Sequence, residues 1–497
     1  MKIVRAGVLA VLVGLTAACA GPMQPRDKAG SQADTPSIDI NLSNDLTHRY
    51  GESQIAVNPK NSNNLVYVSL TTGFTYACQA AKSPDCEMVQ AKISGFTVPQ
   101  PRGDFTGHGF NSVSVFVSFD RGRTWQRATV PVHPPQHPDL NDWGDPSVTA
   151  VPDGTFYVSW DDLNWGSPEN ALPNAGVALS KSTDGGRTWS VPVLTGTPVD
   201  GPKLTADLNT GTLYEASSSN LGPHATGDAK SPQGKLWDRW LVSSKDGVHW
   251  TTPQPMGGFG SMMTAAHGML ATVFKTSGQR NMFNAPNDEL CGGAPTPCTV
   301  FETTKDGGAT WSRHVMSVPS TYAGQPMVAA DSSKPGHFAV ALGENSGKEF
   351  YVYQTSDSGN TWSGPATVTD DSTKSHYHSW MAYSPDGTLG IMWRTRLPGP
   401  GQTAAPVTEG FGGGPALPYN VWAAISRDGG ATFSQPFKVS SADSLAPQSG
   451  PFGNAADDYS SITLDREYAY VSWADWRPGD RSAFFRAIKL VEFKFGR

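Results

Sequence analysis

Alternation of apolar and polar residues, the mark of a half-buried strand, recurs along most of this 497-residue chain. It is plain in Val113-Ser-Val-Phe-Val117 and in paired runs joined by tight turns. Residues 147–151 and 156–160 flank one Pro-Asp-Gly turn, and residues 379–383 and 389–393 flank another. Comparable hairpins begin near Ser53, Lys203, Met262, Met327 and Ser460, which makes seven in all.

Six of the seven hairpins are followed by one motif, Ser/Thr-x-Asp-x-Gly-x-Thr-Trp. It reads Ser118-Phe-Asp120-Arg-Gly122-Arg-Thr124-Trp125 and Ser182-Thr-Asp184-Gly-Gly186-Arg-Thr188-Trp189. It returns at 304–311, at 355–362 and at 426–433, where Phe433 replaces Trp. A shorter copy, Ser244-Lys-Asp246-Gly247-Val-His249-Trp250, lacks one residue. The chemistry is that of a tight turn: Asp and Ser/Thr oxygens accept loop N–H groups, and Gly supplies a positive φ. The closing aromatic ring is large enough to bury against a neighbouring unit. Asp120, Asp184, Asp246, Asp306, Asp357 and Asp428 follow one another at 64, 62, 60, 51 and 71 residues, about one four-stranded unit with one long loop each. These six aspartates are therefore read as structural.

The motif is the Asp-box, and over nearly all of residues 37–497 the chain resembles the Asp-box (BNR-repeat) proteins of the sialidase superfamily. An all-β propeller follows, with seven four-stranded blades expected and six as the alternative. The C-terminal unit has no box but repeats the second: Asp458-Tyr-Ser-Ser and Tyr470-Val-Ser-Trp-Ala-Asp475 match Asp145-Pro-Ser-Val and Tyr157-Val-Ser-Trp-Asp161. Its outer strand must come from elsewhere, either residues 37–42 or residues 491–495. With strands labelled a to d from the channel outward, the boxes fall on the c–d turns. The long insertions, such as 71–110, 162–174, 217–237, 276–298 and 397–419, then fall on the opposite face. Long loops on a rigid scaffold are where binding sites are built.

Residues that begin an a-strand or end a b-strand should ring the channel mouth on that face. They include Glu52, Asp145, Gln325, His378, Asp457, Asp458 and Tyr459, with Trp160, Asp161, Asp162, Glu344, Arg394, Arg396, Trp473, Asp475, Trp476 and Arg477. Indole faces stack on sugars, carboxylates serve glycosidic acid–base chemistry, and arginines clamp carboxylates. The resemblance implies an arginine triad, a tyrosine nucleophile activated by a glutamate, and an aspartate acid/base. Asp458-Tyr459-Ser460 opens the last blade where sialidases carry their Tyr-Ser segment. On that pattern Tyr459 is the nucleophile, Glu52 its base and Asp145 the acid. Arg394, Arg477, Trp160, Asp161, Trp473, Asp475 and His378 line the substrate. The Arg-Ile-Pro motif of the first blade is absent: Tyr50-Gly-Glu52-Ser-Gln-Ile55 puts a carboxylate there. The expected activity is that of a glycoside hydrolase on an acidic or complex sugar. The alternatives are a non-catalytic propeller binding a glycan or an envelope protein and, behind it, a polysaccharide lyase.

The remaining features bear on location and partners. Lys2 and Arg5 precede an apolar run at 7–18 too short to span a bilayer. Ala17-Ala18 before Cys19 resembles a bacterial lipoprotein signal, so residues 1–18 are read as a signal peptide and 19–36 as a lipidated Cys19 with its flexible tether. The domain proper spans 37–497, and the membrane is reached only through the lipid; plain secretion is the alternative. Setting Cys19 aside, the remaining cysteines form two local pairs, Cys78 with Cys86 and Cys291 with Cys298. Disulfides in an oxidising compartment fit them better than a metal site. The net charge of −7 argues against nucleic acid as a partner. No cofactor is expected; Asp139, Asn141, Asp142 and Asp145 offer an oxygen-rich run for structural calcium, and His376 with His378 a weaker metal pair.

Overall fold

The computed structural model describes residues 38–44, 48–74, 88–93, 96–101, 111–130, 142–163, 176–197, 201–218, 239–258, 262–276, 288–318, 326–343, 349–369, 375–398, 418–444, 459–478 and 481–496. The expected signal peptide, Cys19 and tether lie outside them, as do Cys78, Cys86, Gln325, Glu344, Asp139, Asn141, Asp457 and Asp458. The chain forms seven four-stranded antiparallel sheets in sequence order, the blades of a β-propeller; a two-stranded hairpin, Met88–Ile93 with Phe96–Pro101, is added between strands b and c of blade 1. There is no α-helix among the described residues, and no helix long and apolar enough to cross a membrane.

Blade 7 is completed from the other end of the chain. Its strands a, b and c are Ser461–Leu464, Tyr468–Asp475 and Ser482–Lys489, and its outer strand is Ile40–Asn41, paired with Phe485 and Phe484. Residues 37–42 thus contain the closing strand, while Leu490–Glu492 forms a short 3-10 turn. Arg477 fastens the closure by pairing with Asp39 and, at 2.8 Å, with Asp475.

Burial grades outward across each blade. All six residues of the b-strands Leu213–Ser218 (blade 3) and Phe338–Gly343 (blade 5) are buried, whereas the d-strand Ser363–Thr367 is almost wholly exposed. Strand b is covered on both faces by adjoining blades, so Phe338–Gly343 reads as a continuous apolar run, while Leu213–Ser218 buries Glu215, Ser217 and Ser218 as well. The cores lie between blades. Val66, Val68 and Val117 of blade 1 meet Phe156, Val158 and Trp160 of blade 2, and the apolar clusters repeat around the ring.

The boxes are built as their residue types require. In the second, Ser182 Oγ donates to Asp184 Oδ1 at 2.8 Å and accepts from the Gly186 N–H at 2.8 Å. Thr188 donates its N–H to Oδ1 at 3.0 Å and its hydroxyl to Oδ2 at 2.6 Å, and Trp189 Nε1 reaches the Gly186 carbonyl. The short box substitutes an imidazole for the missing hydroxyl, with His249 Nδ1 2.7 Å from Asp246 Oδ2. Every box also seals a seam. Gly186 (φ 97°) lies so close to Val117 and Val66 of blade 1 that a β-carbon would sit 2.9–3.0 Å from them. Gly122 stands in the same relation to Phe485 of blade 7, and Gly247 to Tyr157 of blade 2.

Candidate active site at the channel mouth

The a-strands of all seven blades line the central channel. At the box end, Asn64 bonds both the Ser118 and Gly185 carbonyls, which places the a–b turns and the boxes on one face. The opposite end begins with a repeated irregularity. In blades 1, 2 and 6 the a-strands His48–Asn58, Asp142–Ala150 and Ser375–Tyr383 carry bulges at 51–54, 144–147 and 377–380. Inside each bulge one non-glycine residue adopts a left-handed conformation: Glu52 (φ 51°), Asp145 (φ 48°) and His378 (φ 49°). The ladder makes these positions equivalent, two residues before the rung formed by Gln54, Ser147 and Trp380. Tyr459 holds the same place before Ser461 in blade 7, and Gly201 (φ 63°) before Lys203 in blade 3. A left-handed L-residue costs about 1–2 kcal/mol. Non-glycine residues kept there by the surrounding sheet are a mark of functional sites.

The ring thereby brings together residues hundreds apart in sequence. Tyr459 Oη donates to Asp145 Oδ1 at 2.6 Å. Asp145 is steadied in turn: its N–H donates to Glu52 Oε2 at 3.0 Å, and its Oδ2 accepts from the Gly201 N–H at 3.3 Å. Lys203 Nζ lies 4.0 Å from the Tyr459 ring centroid. Behind the tyrosine, Arg394 donates to Ser460 Oγ through Nε (3.0 Å) and Nη2 (2.6 Å), and Nη2 is 3.4 Å from the Tyr459 carbonyl. The three residues assigned to catalysis from the sequence are therefore one contiguous group. Asp145, which the family pattern makes the acid, is a carboxylate in direct hydrogen-bond contact with the phenol.

The residues assigned to substrate divide into two sets. His378 is partly exposed at the mouth; burial, then the nearby Arg394 and Arg396, push its pKa well below the usual histidine value and keep the ring neutral. Beside it Arg396, expected at the mouth but not assigned to substrate, is half-buried at the end of blade 6's b-strand (Leu389–Arg396) and stacks on Tyr377 at 4.4 Å. Asp161 is buried beside Gly144. Trp160 and Trp473 instead fill the seams between blades, and Trp473 Nε1 donates to Asp475 Oδ2 at 2.8 Å. Asp475 and Arg477 are engaged with each other and with Asp39. These four serve the ring. Strand-end aromatics look alike in sequence whether they face a channel or a seam.

Three further residues were not singled out from the sequence as site residues. Lys203 is buried at the a-strand rung that Gln54 and Ser147 hold in blades 1 and 2. Arg239, which opens strand c of blade 3 (Arg239–Ser244), is fully buried and donates to the Gly258 carbonyl at 3.1 Å; burial draws it down to about 10. Glu215 lies on strand b of that blade, accepting from Thr195 Oγ1 (3.1 Å) and Thr197 Oγ1 (2.6 Å), while its Oε1 has no hydrogen-bond partner. Burial raises its pKa to about 8 against the opposing threonine hydrogen bonds, so it is largely protonated at neutral pH. Aligning the repeats by ladder gives the sequence signal, since Glu215 occupies the rung of Val158, Ile391 and Val471. No cluster of three or more metal-ligating side chains occurs among the described residues.

No family model and no curated protein matches the chain. Solved structures do. A protein of unknown function from Dyadobacter fermentans is 12% identical, with 91% of this chain and 98% of that one covered and a TM-score of 0.45. A Hadza microbial sialidase is 14% identical, with 92% and 96% covered and a TM-score of 0.43. The NanB sialidase from Streptococcus pneumoniae is 11% identical, with 93% and 98% covered and a TM-score of 0.42.

Proposed function

We propose that the protein is an exported glycoside hydrolase of sialidase type, acting on an acidic or complex sugar through Tyr459. The observation that carries this reading is the 2.6 Å hydrogen bond from the Tyr459 phenol to Asp145 at the mouth of the channel. A free phenol titrates near pH ~10 and is a weak nucleophile at neutral pH; a carboxylate at that distance gives its proton somewhere to go. Tyr459 Oη would attack the anomeric carbon as its proton passes to Asp145. The bond to the leaving oxygen breaks on the opposite face of the sugar, where that oxygen takes its proton from solvent. Water then attacks from that face, releasing a proton to solvent, and the departing tyrosine takes its proton back from Asp145, freeing the sugar and restoring the phenol. Glu52 orders Asp145 by taking its backbone N–H, and Arg396 is the partly exposed cation for a sugar carboxylate. Export is supported by the Cys291–Cys298 disulfide and by the signal-like N-terminus, in which Cys19 would carry a lipid.

A screen of aryl glycosides, sialosides included, tests the proposal. Turnover by wild type, lost by roughly 10³-fold or more in Tyr459→Phe with thermal stability retained, is the expected result. No turnover of any member by the wild-type protein would sink the enzyme and leave a non-catalytic glycan- or protein-binding propeller. That second reading is favoured by one observation: Trp473, Asp475 and Arg477 are spent on holding blade 7 together.

A further inference from the structure

Lys203 is a long cation placed where cations are costly. It is 2% exposed, on the channel-facing a-strand Lys203–Ala206, with its ammonium over the face of Tyr459. Burial draws its pKa down. Asp145 is the largest opposing influence, Arg239 works with burial, and Glu52 and Asp161 oppose it further. A methionine or leucine would fill the space without that cost, and the equivalent rungs of blades 1, 2, 6 and 7 are held by Gln54, Ser147, Trp380 and Ser461. What the charge adds depends on the state of the ring above it. A neutral phenol offers only its quadrupole, whereas a phenolate offers a whole negative charge in a poorly solvated place.

We propose that Lys203 is a positioning residue whose ammonium, held over the Tyr459 ring, stabilises the phenolate formed when the proton passes to Asp145. The inference rests on the nucleophile reading above and adds a residue that reading does not need. The two carboxyl-bearing neighbours and the cation then divide the work. Asp145 receives the proton, Glu52 orients Asp145, and Lys203 balances the charge left on the oxygen. Once Asp145 holds the proton, the new phenolate stands near the Glu52 carboxylate, and the Lys203 ammonium over the ring, with Arg239 beyond it, offsets that like charge.

The test reads Tyr459 directly and does not need a substrate. Ultraviolet titration of each protein minus its Tyr459→Phe counterpart isolates this one of the chain's 14 tyrosines. In Lys203→Met the Tyr459 midpoint should rise by about one pH unit or more, while Lys203→Arg, which keeps the charge, should stay within a few tenths of wild type. Lys203→Gln is the neutral variant to use if the methionine protein does not fold. On any glycoside the wild type hydrolyses, kcat should fall about tenfold for each unit of midpoint shift, with KM changed less than twofold. An unchanged midpoint in a folded neutral variant overturns the inference and leaves Lys203 as packing. If the midpoint shifts but wild type hydrolyses nothing, the electrostatic coupling stands and the glycosidase reading is what fails.

Discussion

The two faces of the ring use carboxylates in opposite ways. On the box face each aspartate is surrounded by donors from its own loop and stays close to water. The Thr310 hydroxyl and N–H, with the Thr304 hydroxyl, hold Asp306 at about 2, and Asp357 is held at about 2 by the matching groups of its box. At the mouth the carboxylates take their partners from other blades. Asp145 of blade 2 meets Tyr459 of blade 7 and Glu52 of blade 1. Glu215, deeper on the same side of blade 3, is driven up to about 8 by burial. A constellation repeated six times closes turns and seams. One assembled once, from non-equivalent residues at equivalent positions, is where chemistry can be built.

The largest expected effect on stability belongs to Glu215. Its folded-state pKa lies above the ordinary 4.5, so between about pH 4.5 and 8 the folded chain holds a proton that the unfolded chain has released. Stability therefore falls as pH rises through that window, by up to about 1.4 kcal/mol per pH unit. Glu215→Gln should flatten the slope, measured as the denaturation midpoint against pH; an unchanged slope would mean the carboxyl finds compensation in the seam. Asp39→Ala comes next, at about 2 kcal/mol, because it removes one of the two carboxylates that hold the half-buried Arg477, leaving Asp475, and loosens ring closure. Its loss should reach the Ile40–Asn41 strand first, read by hydrogen exchange, and a cost below about 0.5 kcal/mol would refute the latch. Asp184→Ala is smaller, about 1–2 kcal/mol, from stranding the Thr188 and Ser182 donors. Activity per folded molecule should not change; lost turnover at full stability would reverse the assignment of faces.

The scaffold was legible because the boxes and hairpins are local. Asp184 and its partners all lie between Ser182 and Thr188, and Pro152-Asp-Gly154 closes a turn between adjacent strands. The need for a closing strand was readable from the missing box in the last unit, but the choice between residues 37–42 and 491–495 was settled only by the pairing of Ile40–Asn41 with Phe485 and Phe484. The site was legible only in part. Equivalence of Asp145 and Asp458-Tyr459 in two repeats placed them on one face, but contact across 314 residues depends on how the ring curves. Trp473 packs in the seam and Arg477 pairs with Asp39 and Asp475, a placement the sequence does not show because a strand's end does not reveal whether a side chain turns to the channel or to the seam. Lys203 carries no local signal, because its meaning lies in Tyr459, four blades further along the chain.

The central claim is that Tyr459 is a nucleophile, and trapping its adduct tests this most directly. The glycoside turned over in the screen is remade as a fluorinated sugar with an activated leaving group, so that the first step outruns the second. The protein is then analysed by intact mass and peptide mapping. The account predicts one sugar per chain, attached to Tyr459, and none on Tyr459→Phe. Turnover with no adduct, or an adduct on any other residue, would contradict it.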